Sequence, residues 1–303
     1  MEQTWLQRHR RKVLAGFLLL LAGWSISTTP GFSWRTHLIS LKSQGLLPLT
    51  RWSDLLFRGI PDEGLREGWD DSAVFIAPVS WGKEPCGVLW RTPMGEFWGR
   101  ESDAATLAIV INEQFKRKIY ERGPVAIQEG DVVFDVGSHL GAFTRFALQH
   151  GAGLVVAFEP EPTNIACYKQ TFEQELAAGR VILVEAALWE APGTLDFTTG
   201  QHSGAGQVHP STGDPSAQLV PATTIDETVA RLNLDRLDFI KMDIEGSERY
   251  ALRGGRESLG RFGPRLAVCI YHREDDREAV PQEVFTARSA YQMATSAEVA
   301  YFH

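Results

Sequence analysis

Between Val132 and Phe146 a run of strand-like residues (Val132, Val133, Phe134) ends in Asp135 and passes through Gly137-Ser138-His139-Leu140-Gly141 into a helical pattern. A strand, a glycine-bearing turn and a helix in that order suit a nucleoside cofactor. Glycines without a Cβ let a ligand approach the backbone, and the new helix turns N–H groups toward it. The carboxylate of Asp135 discriminates among ligands, because it would repel a phosphate and attract the ammonium and sulfonium groups of S-adenosylmethionine. A second apolar run, Leu154 to Phe158, ends in Glu159, about 20 residues beyond the glycines, where a carboxylate can accept from both ribose hydroxyls; a surface acid at a strand end is the alternative. Asp135, Gly137, Ser138, Gly141 and Glu159 are thus the expected cofactor-binding residues.

A third run (Phe239, Ile240, Met242) ends in Asp243, Glu245, Gly246 and Glu248. Acids crowded at one strand end are unfavourable unless a cation, a proton or a hydrogen-bonding substrate joins them; a solvated turn with Glu248 in the first turn of a helix is the alternative. Group transfer from such a cofactor needs the acceptor atom held in line with the leaving group, together with removal of its proton. Candidate catalytic groups belong at strand carboxyl ends, where Asp243 and Glu245 stand at one and His272 at the next. A histidine titrates unperturbed at about 6.5, which suits a base, although a histidine bonded to a loop carbonyl fits equally. The acids could instead orient substrate hydroxyls or bind a divalent cation. No metal site is assigned, since Cys86, Cys167 and Cys269 lie far apart without metal-ligand spacing and read as reduced thiols.

These segments carry a family resemblance. Glu113-Gln114-Phe115, Asp135-Val136-Gly137 through Gly141, Phe158-Glu159-Pro160, Thr223-Thr224-Ile225-Asp226 and Ile240 through Glu248 resemble, in order and spacing, the FkbM family of S-adenosylmethionine-dependent methyltransferases. The resemblance covers residues 92–290. It implies an α/β fold, a Rossmann-like class I methyltransferase sheet with helices on both faces, and methyl transfer to hydroxyl oxygens of a sugar, glycan, lipid-linked or secondary-metabolite acceptor. Two alternatives remain: a non-catalytic membrane-anchored binding module of the same fold, and a nicotinamide-dependent oxidoreductase. The second should show a Gly-x-Gly-x-x-Gly turn that Asp135-Val136-Gly137 does not supply.

The chain is long enough for such an enzyme: 303 residues with 44% hydrophobic content bury a substantial core. Its formal net charge of -8 argues against a nucleic acid as main partner. Arg8, Arg10, Arg11 and Lys12 precede an apolar run at 13–26, and the next charge is Arg35. As a helix that run spans about 21 Å against a hydrocarbon core of about 30 Å, between a signal-peptide core and a membrane anchor. The positive-inside rule favours export of the chain beyond the run, whereas the methyl donor is made in the cytosol. The expectation is an uncleaved helix that attaches the enzyme to a membrane, with its catalytic domain in the cytosol.

The expected organisation is therefore an N-terminal segment at 1–27, a Trp- and Pro-rich accessory segment at 28–100, and the methyltransferase domain at 101–303. Leu107, Val110, Ile111, Phe115 and Ile119 predict an amphipathic helix over 103–120. Beyond it, strands are predicted at 132–137, 154–159, 181–188, 194–199, 238–244 and 265–271. Helices are predicted at 139–150, 163–177, 224–232 and 247–259. This alternation demands a parallel sheet. Residues 201–215 read as a Gly-, Ser- and Pro-rich loop, either a lid over the acceptor or a surface excursion. Methyltransferases of this kind finish with an antiparallel strand pair, for which only 291–293 and 299–302 remain as short candidates, so the acceptor side is where the chain departs from the pattern.

Overall fold

A computed structural model describes residues 76–200, 204–213 and 217–303, which belong to the compact unit Asp71–His303. In chain order it opens with an antiparallel meander of β1 (Ala77–Trp81), β2 (Val88–Thr92) and β3 (Gly95–Gly99). Helix α1 (Ala104–Ile111) runs into a π-helical turn, Asn112–Arg117, which stops where Lys118 turns left-handed at φ 47°. Next come β4 (Val132–Val136), α2 (Ala142–Gln149), β5 (Leu154–Phe158), α3 (Pro162–Thr171), α4 (Glu173–Ala177) and β6 (Val181–Val184). A second small sheet uses β7 (Ala187–Leu188), β8 (Gly193–Thr198), β9 (Gln207–Pro210) and β10 (Gln218–Thr223). The chain then returns through α5 (Ile225–Arg231), β11 (Phe239–Met242), α6 (Glu248–Arg253), α7 (Arg256–Phe262), β12 (Arg265–Cys269) and α8 (Asp276–Ala287) to β13 (Met293–Thr295) and β14 (Val299–Phe302).

The principal sheet has the order β13-β14-β12-β11-β4-β5-β6, with β12, β11, β4, β5 and β6 parallel and β14 antiparallel to both β12 and β13. The nearly continuous apolar runs of β4, β5 and β11 arise from burial on both faces. Val133, Val155, Ala157 and Phe239 pack on one side; Phe134, Val136, Val156, Phe158, Ile240 and Met242 pack on the other. Strand order runs outward in opposite directions from β4 and β11, and a crevice at the carboxyl ends of such a pair is where α/β sheets take ligands. On these two strands Asp135 and Lys241 are register partners. Both are buried, and the ammonium lies 3.4 Å from the carboxylate.

Several expected elements change. The strand expected at 181–188 divides, because the chain turns at Glu185 and Ala186 and leaves β6 for the small sheet, where β7 pairs with β10. The predicted loop at 201–215 contains β9, which pairs with β8; strand β10 went unpredicted, its Pro221 breaking the look of a strand. The helix expected at 247–259 divides at Gly254-Gly255, where a Cβ on Gly254 would strike the Trp189 carbonyl oxygen. Helix α8 was hidden by its charges and the internal Pro281, which together erase the apolar period. The candidate at 299–302 is β14, and its antiparallel partner β13 lies at Met293–Thr295, two residues beyond the expected 291–293, so the closing antiparallel pair is present.

Two expectations are corrected. Among the described residues no helix is long and apolar enough to cross a membrane, and the apolar run at 13–26 lies outside them, so attachment through an N-terminal helix, and the cytosolic placement built on it, have no support. Cys86 and Cys167 are not reduced thiols but a disulfide, with Cα atoms 5.3 Å apart, which ties the β1–β2 connection to α3; Cys269 is free and buried. Cysteine spacing could not reveal a pair that only the packing of the meander on α3 brings together.

The bridge joins residues 81 apart, and closing a loop of that size in the unfolded chain is worth about 4 kcal/mol. Reduction should therefore lower the melting temperature by roughly 10 °C. Thiol titration of the denatured, unreduced protein should find one of the 3 cysteines free; 3 free thiols before reduction would remove the bridge. Lys241→Met should cost about 3 to 5 kcal/mol by leaving Asp135 buried without a countercharge. A urea midpoint within experimental error of the parent would show that the pair is dispensable.

Candidate functional site

The turn after β4 is held from beneath. Gly137 and Gly141 have φ values of 79° and 89°, and His139 between them is also left-handed at 51°, a conformation rare outside glycine. The glycines are required by protein packing more than by room for a ligand. A Cβ on Gly137 would strike the Asp243 carbonyl oxygen, and one on Gly141 would strike the Phe172 ring. The N–H groups of Gly137 and Ser138 both donate to the Phe158 carbonyl, at 3.2 and 3.0 Å, which fastens the turn to the end of β5.

Asp135 faces into the protein and not into the crevice. It is fully buried and accepts a 2.7 Å hydrogen bond from the Thr144 hydroxyl, which in turn accepts from Tyr168. Lys241 donates to the carbonyls of Gly137 at 2.7 Å and Val136 at 3.2 Å. Burial alone would lower the lysine's pKa, but the carboxylates of Asp135 and Asp243 outweigh it and raise the value. The pair thus clamps the turn's carbonyls from below. Sequence reading missed Lys241, although an ammonium in the middle of the run Phe239 to Met242 is a visible signal, since a buried charge must have a partner.

Glu159 ends β5 beside the same turn and is 5% exposed. One oxygen accepts from the His139 N–H at 2.8 Å; the other accepts from the Glu161 N–H at 3.0 Å and the Asn164 amide at 3.3 Å. Burial pushes its pKa up to about 7, against the pull of those donors. The Ser138 hydroxyl is buried nearby with no hydrogen-bond partner. An apolar cleft opens alongside, lined by Val136, Phe158, Pro160, Ala186, Leu188 and Val208.

At the other side of the turn, β11 runs into Asp243-Ile244-Glu245-Gly246. Glu245 is left-handed at φ 55°, a strained placement that aims its carboxylate back toward Asp243 and His272. His272 Nε2 stands 3.4 Å from Asp243 Oδ1 and 3.6 Å from Glu245 Oε2, while Nδ1 is 3.0 Å from the wholly buried Glu248. The structure therefore brings together all three residues that sequence reading placed at the strand ends. It adds Tyr120, whose hydroxyl donates to Asp243 Oδ2 at 2.7 Å, and gives Glu248 a place behind the histidine. The exposed Tyr271 ring packs at a tilt of 38° against His272, centroids 4.1 Å apart.

The electrostatics of this end are strongly coupled. Burial would lower the His272 pKa, but the surrounding carboxylates, Glu248 foremost, raise it to about 9. Burial pushes Glu245 up to about 7, helped by Asp243 and opposed by His272. Asp243 goes the other way: Lys241, His272 and the Tyr120 hydroxyl overcome its burial and hold it below the usual carboxylate range. Glu113, part of the upstream motif, is raised to about 7 by burial and by Asp243. The arrangement can bind a cation or a hydroxyl and can hold protons near neutral pH.

The sequence profile of the methyltransferase FkbM domain matches residues 135–293. The chain is 28% identical over 183 residues to the 31-O-demethyl-FK506 methyltransferase FkbM of Streptomyces tacrolimicus, covering 50% of this chain and 70% of that one. It is 28% identical over 132 residues to the hexuronic acid methyltransferase AglP of Haloferax volcanii, covering 44% of this chain and 53% of that one. The crystal structure of methyltransferase FkbM from Methylobacillus flagellatus KT superposes with a TM-score of 0.48 and 19% identity, over 68% of this chain and 56% of that one. The chain thus spans about half the length of two of these three relatives. With the profile match running from the acid of the glycine turn to β13, the chain belongs to the FkbM family of S-adenosylmethionine-dependent methyltransferases.

Proposed function

We propose that this chain methylates a hydroxyl oxygen of a sugar, glycan or secondary-metabolite acceptor. The observation that carries the reading is the convergence of Asp243, Glu245 and His272 at the strand ends, directly against the glycine turn through the contact of Gly137 with the Asp243 carbonyl. One relative is named for hexuronic acid and another for 31-O-demethyl-FK506, which favours an oxygen acceptor. The strand order, with its antiparallel closing pair, is that expected of a Rossmann-like class I methyltransferase.

The residues present fit S-adenosylmethionine. The unpartnered Ser138 hydroxyl needs a polar ligand atom, and the apolar cleft beside it suits the faces of a purine. When bound, S-adenosylmethionine supplies the activated methyl group. Glu159, with lone pairs beyond those used by its three donors, accepts from the ribose hydroxyls. Gly137, Ser138 and Gly141 shape the wall of the crevice. Asp135 acts at one remove, by holding Lys241 and so the turn. Asp243, Glu245 and His272 receive the acceptor hydroxyl and its proton; Tyr120 and Glu248 keep the first and last of them oriented.

Glu159→Gln should weaken S-adenosylmethionine binding about 10- to 150-fold in titration calorimetry, the worth of a charged hydrogen bond of about 1.5 to 3 kcal/mol. Unchanged affinity in the folded variant would remove Glu159 from the cofactor site. With a deuterated methyl donor and panels of uronic acids and hydroxylated macrolactones, mass spectrometry should find labelled O-methyl products. Asp243→Asn, Glu245→Gln and His272→Gln should each lower turnover about 100-fold or more while cofactor affinity holds. Equal loss of cofactor binding in all three would overturn the division of the crevice into a cofactor half and an acceptor half.

A further inference from the structure

The three side chains at the acceptor end face one point without bonding to one another. His272 Nε2 lies 3.4 Å from Asp243 Oδ1 and 3.6 Å from Glu245 Oε2, and the candidate donor atoms of the three all fall within 4.8 Å of one another. Donors held at about 2.0 to 2.2 Å from one metal ion stand roughly 3 to 3.5 Å apart. The His272 side chain is 5% exposed, yet Nε2 has no hydrogen-bond partner, and Asp243 Oδ1 is likewise buried and unpartnered. Buried polar atoms in that condition call for a ligand.

The surroundings prepare each donor. Behind the ring Glu248 Oε1 stands 3.0 Å from Nδ1, out of hydrogen-bond alignment but on the side from which a carboxylate backs a metal-ligating histidine. Tyr120 occupies Asp243 Oδ2 and so leaves Oδ1 free. Lys241, the buried ammonium next to this group, is already held by Asp135 and by the carbonyls of Val136 and Gly137. On the far side of the ring Glu248, His272 and Asp276 form a second group of possible ligands, but both Asp276 oxygens already accept, from Arg249 and from the Arg273 N–H. The side chains of Asp243 and Glu245 are 26% and 25% exposed, which leaves the group open toward the crevice.

The geometry points to Asp243, Glu245 and His272 as the ligands of one divalent first-row metal ion that also takes the acceptor oxygen. One imidazole and two carboxylates suit Mn²⁺, Fe²⁺ or Zn²⁺ better than an all-oxygen cation such as Ca²⁺. Three protein ligands leave coordination positions for the acceptor hydroxyl and a neighbouring oxygen. With the three side chains engaged as ligands, the bound hydroxyl has a lowered pKa and its proton passes to solvent in place of a side chain; the new O–CH₃ bond forms as the S–CH₃ bond breaks, and the sulfonium leaves as a neutral thioether. This role in catalysis rests on the methyl-transfer reading above, whereas the binding of the cation does not.

Mn²⁺ titration of the full chain after dialysis against a chelator, monitored by loss of the free-ion electron paramagnetic resonance signal, tests the site without cofactor or acceptor. One equivalent should bind, and Zn²⁺ should displace it. Asp243→Asn and His272→Gln should weaken binding at least 100-fold, and Glu248→Gln about 10- to 100-fold; circular dichroism melts show which variants fold, and Glu245→Gln on the open side replaces any that do not. Absence of saturable Mn²⁺ or Zn²⁺ binding by the folded parent, or undiminished binding by the folded variants, overturns the site. Calorimetry with S-adenosylmethionine on the same samples separates the two readings: cation binding without cofactor binding ends the methyl-transfer reading and leaves the metal site standing.

Discussion

The buried pair Asp135–Lys241 is the interaction on which the crevice depends. Neither charge is tolerable alone in the middle of an apolar sheet, and together they satisfy each other only because β4 and β11 are neighbours in parallel register. The lysine has more to give than one ion pair needs, and the surplus donors go to the carbonyls of Val136 and Gly137. A fixed positive charge thus sits beneath a turn whose upper side meets the ligand. The same ammonium helps keep Asp243 ionised on the other side of the strand end. One pair therefore braces the glycine turn after β4 and helps set the charge state of Asp243.

Much of this was legible in the sequence where local pattern and tertiary role coincide. The apolar runs ending in Asp135, Glu159 and Asp243 gave strands because a strand buried on both faces needs no alternation, and the acids at their ends landed at the crevice because parallel strands share one carboxyl edge. His272 was found by the same rule. What was hidden depends on contacts between segments distant in sequence. Tyr120 reaches Asp243 across 123 residues, and the bridge from Cys86 to Cys167 requires the meander to lie on α3. Asp135 shows the limit most clearly: its position was right and its direction was not, since the strand's alternation carries it to the buried face, where only a lysine on the next strand could receive it. Helix α8 was lost for a different reason, its polar and proline residues leaving no period to read.

The acceptor end is unlike the cofactor end in how its order is obtained. Glu159 is held by the N–H groups of His139 and Glu161 and by the Asn164 amide, which ties it to the turn. Asp243, Glu245 and His272 are instead positioned from behind, by Tyr120, by the left-handed backbone of Glu245 and by Glu248, while facing atoms of Asp243 and His272 remain unpartnered. Ordering of that kind keeps the site's unspent hydrogen-bonding and ligating capacity on the side where the acceptor arrives.

The close approach of Gly137 to the Asp243 carbonyl has an evolutionary consequence. Where two backbones touch, the separation of the glycine turn from the acids after β11 is set by main chain alone and does not drift as side chains change. Side-chain replacements in the small sheet of β7 to β10, or near the exposed Tyr271, can then occur without altering that separation. At this contact the residue with least room for substitution is one that has no side chain.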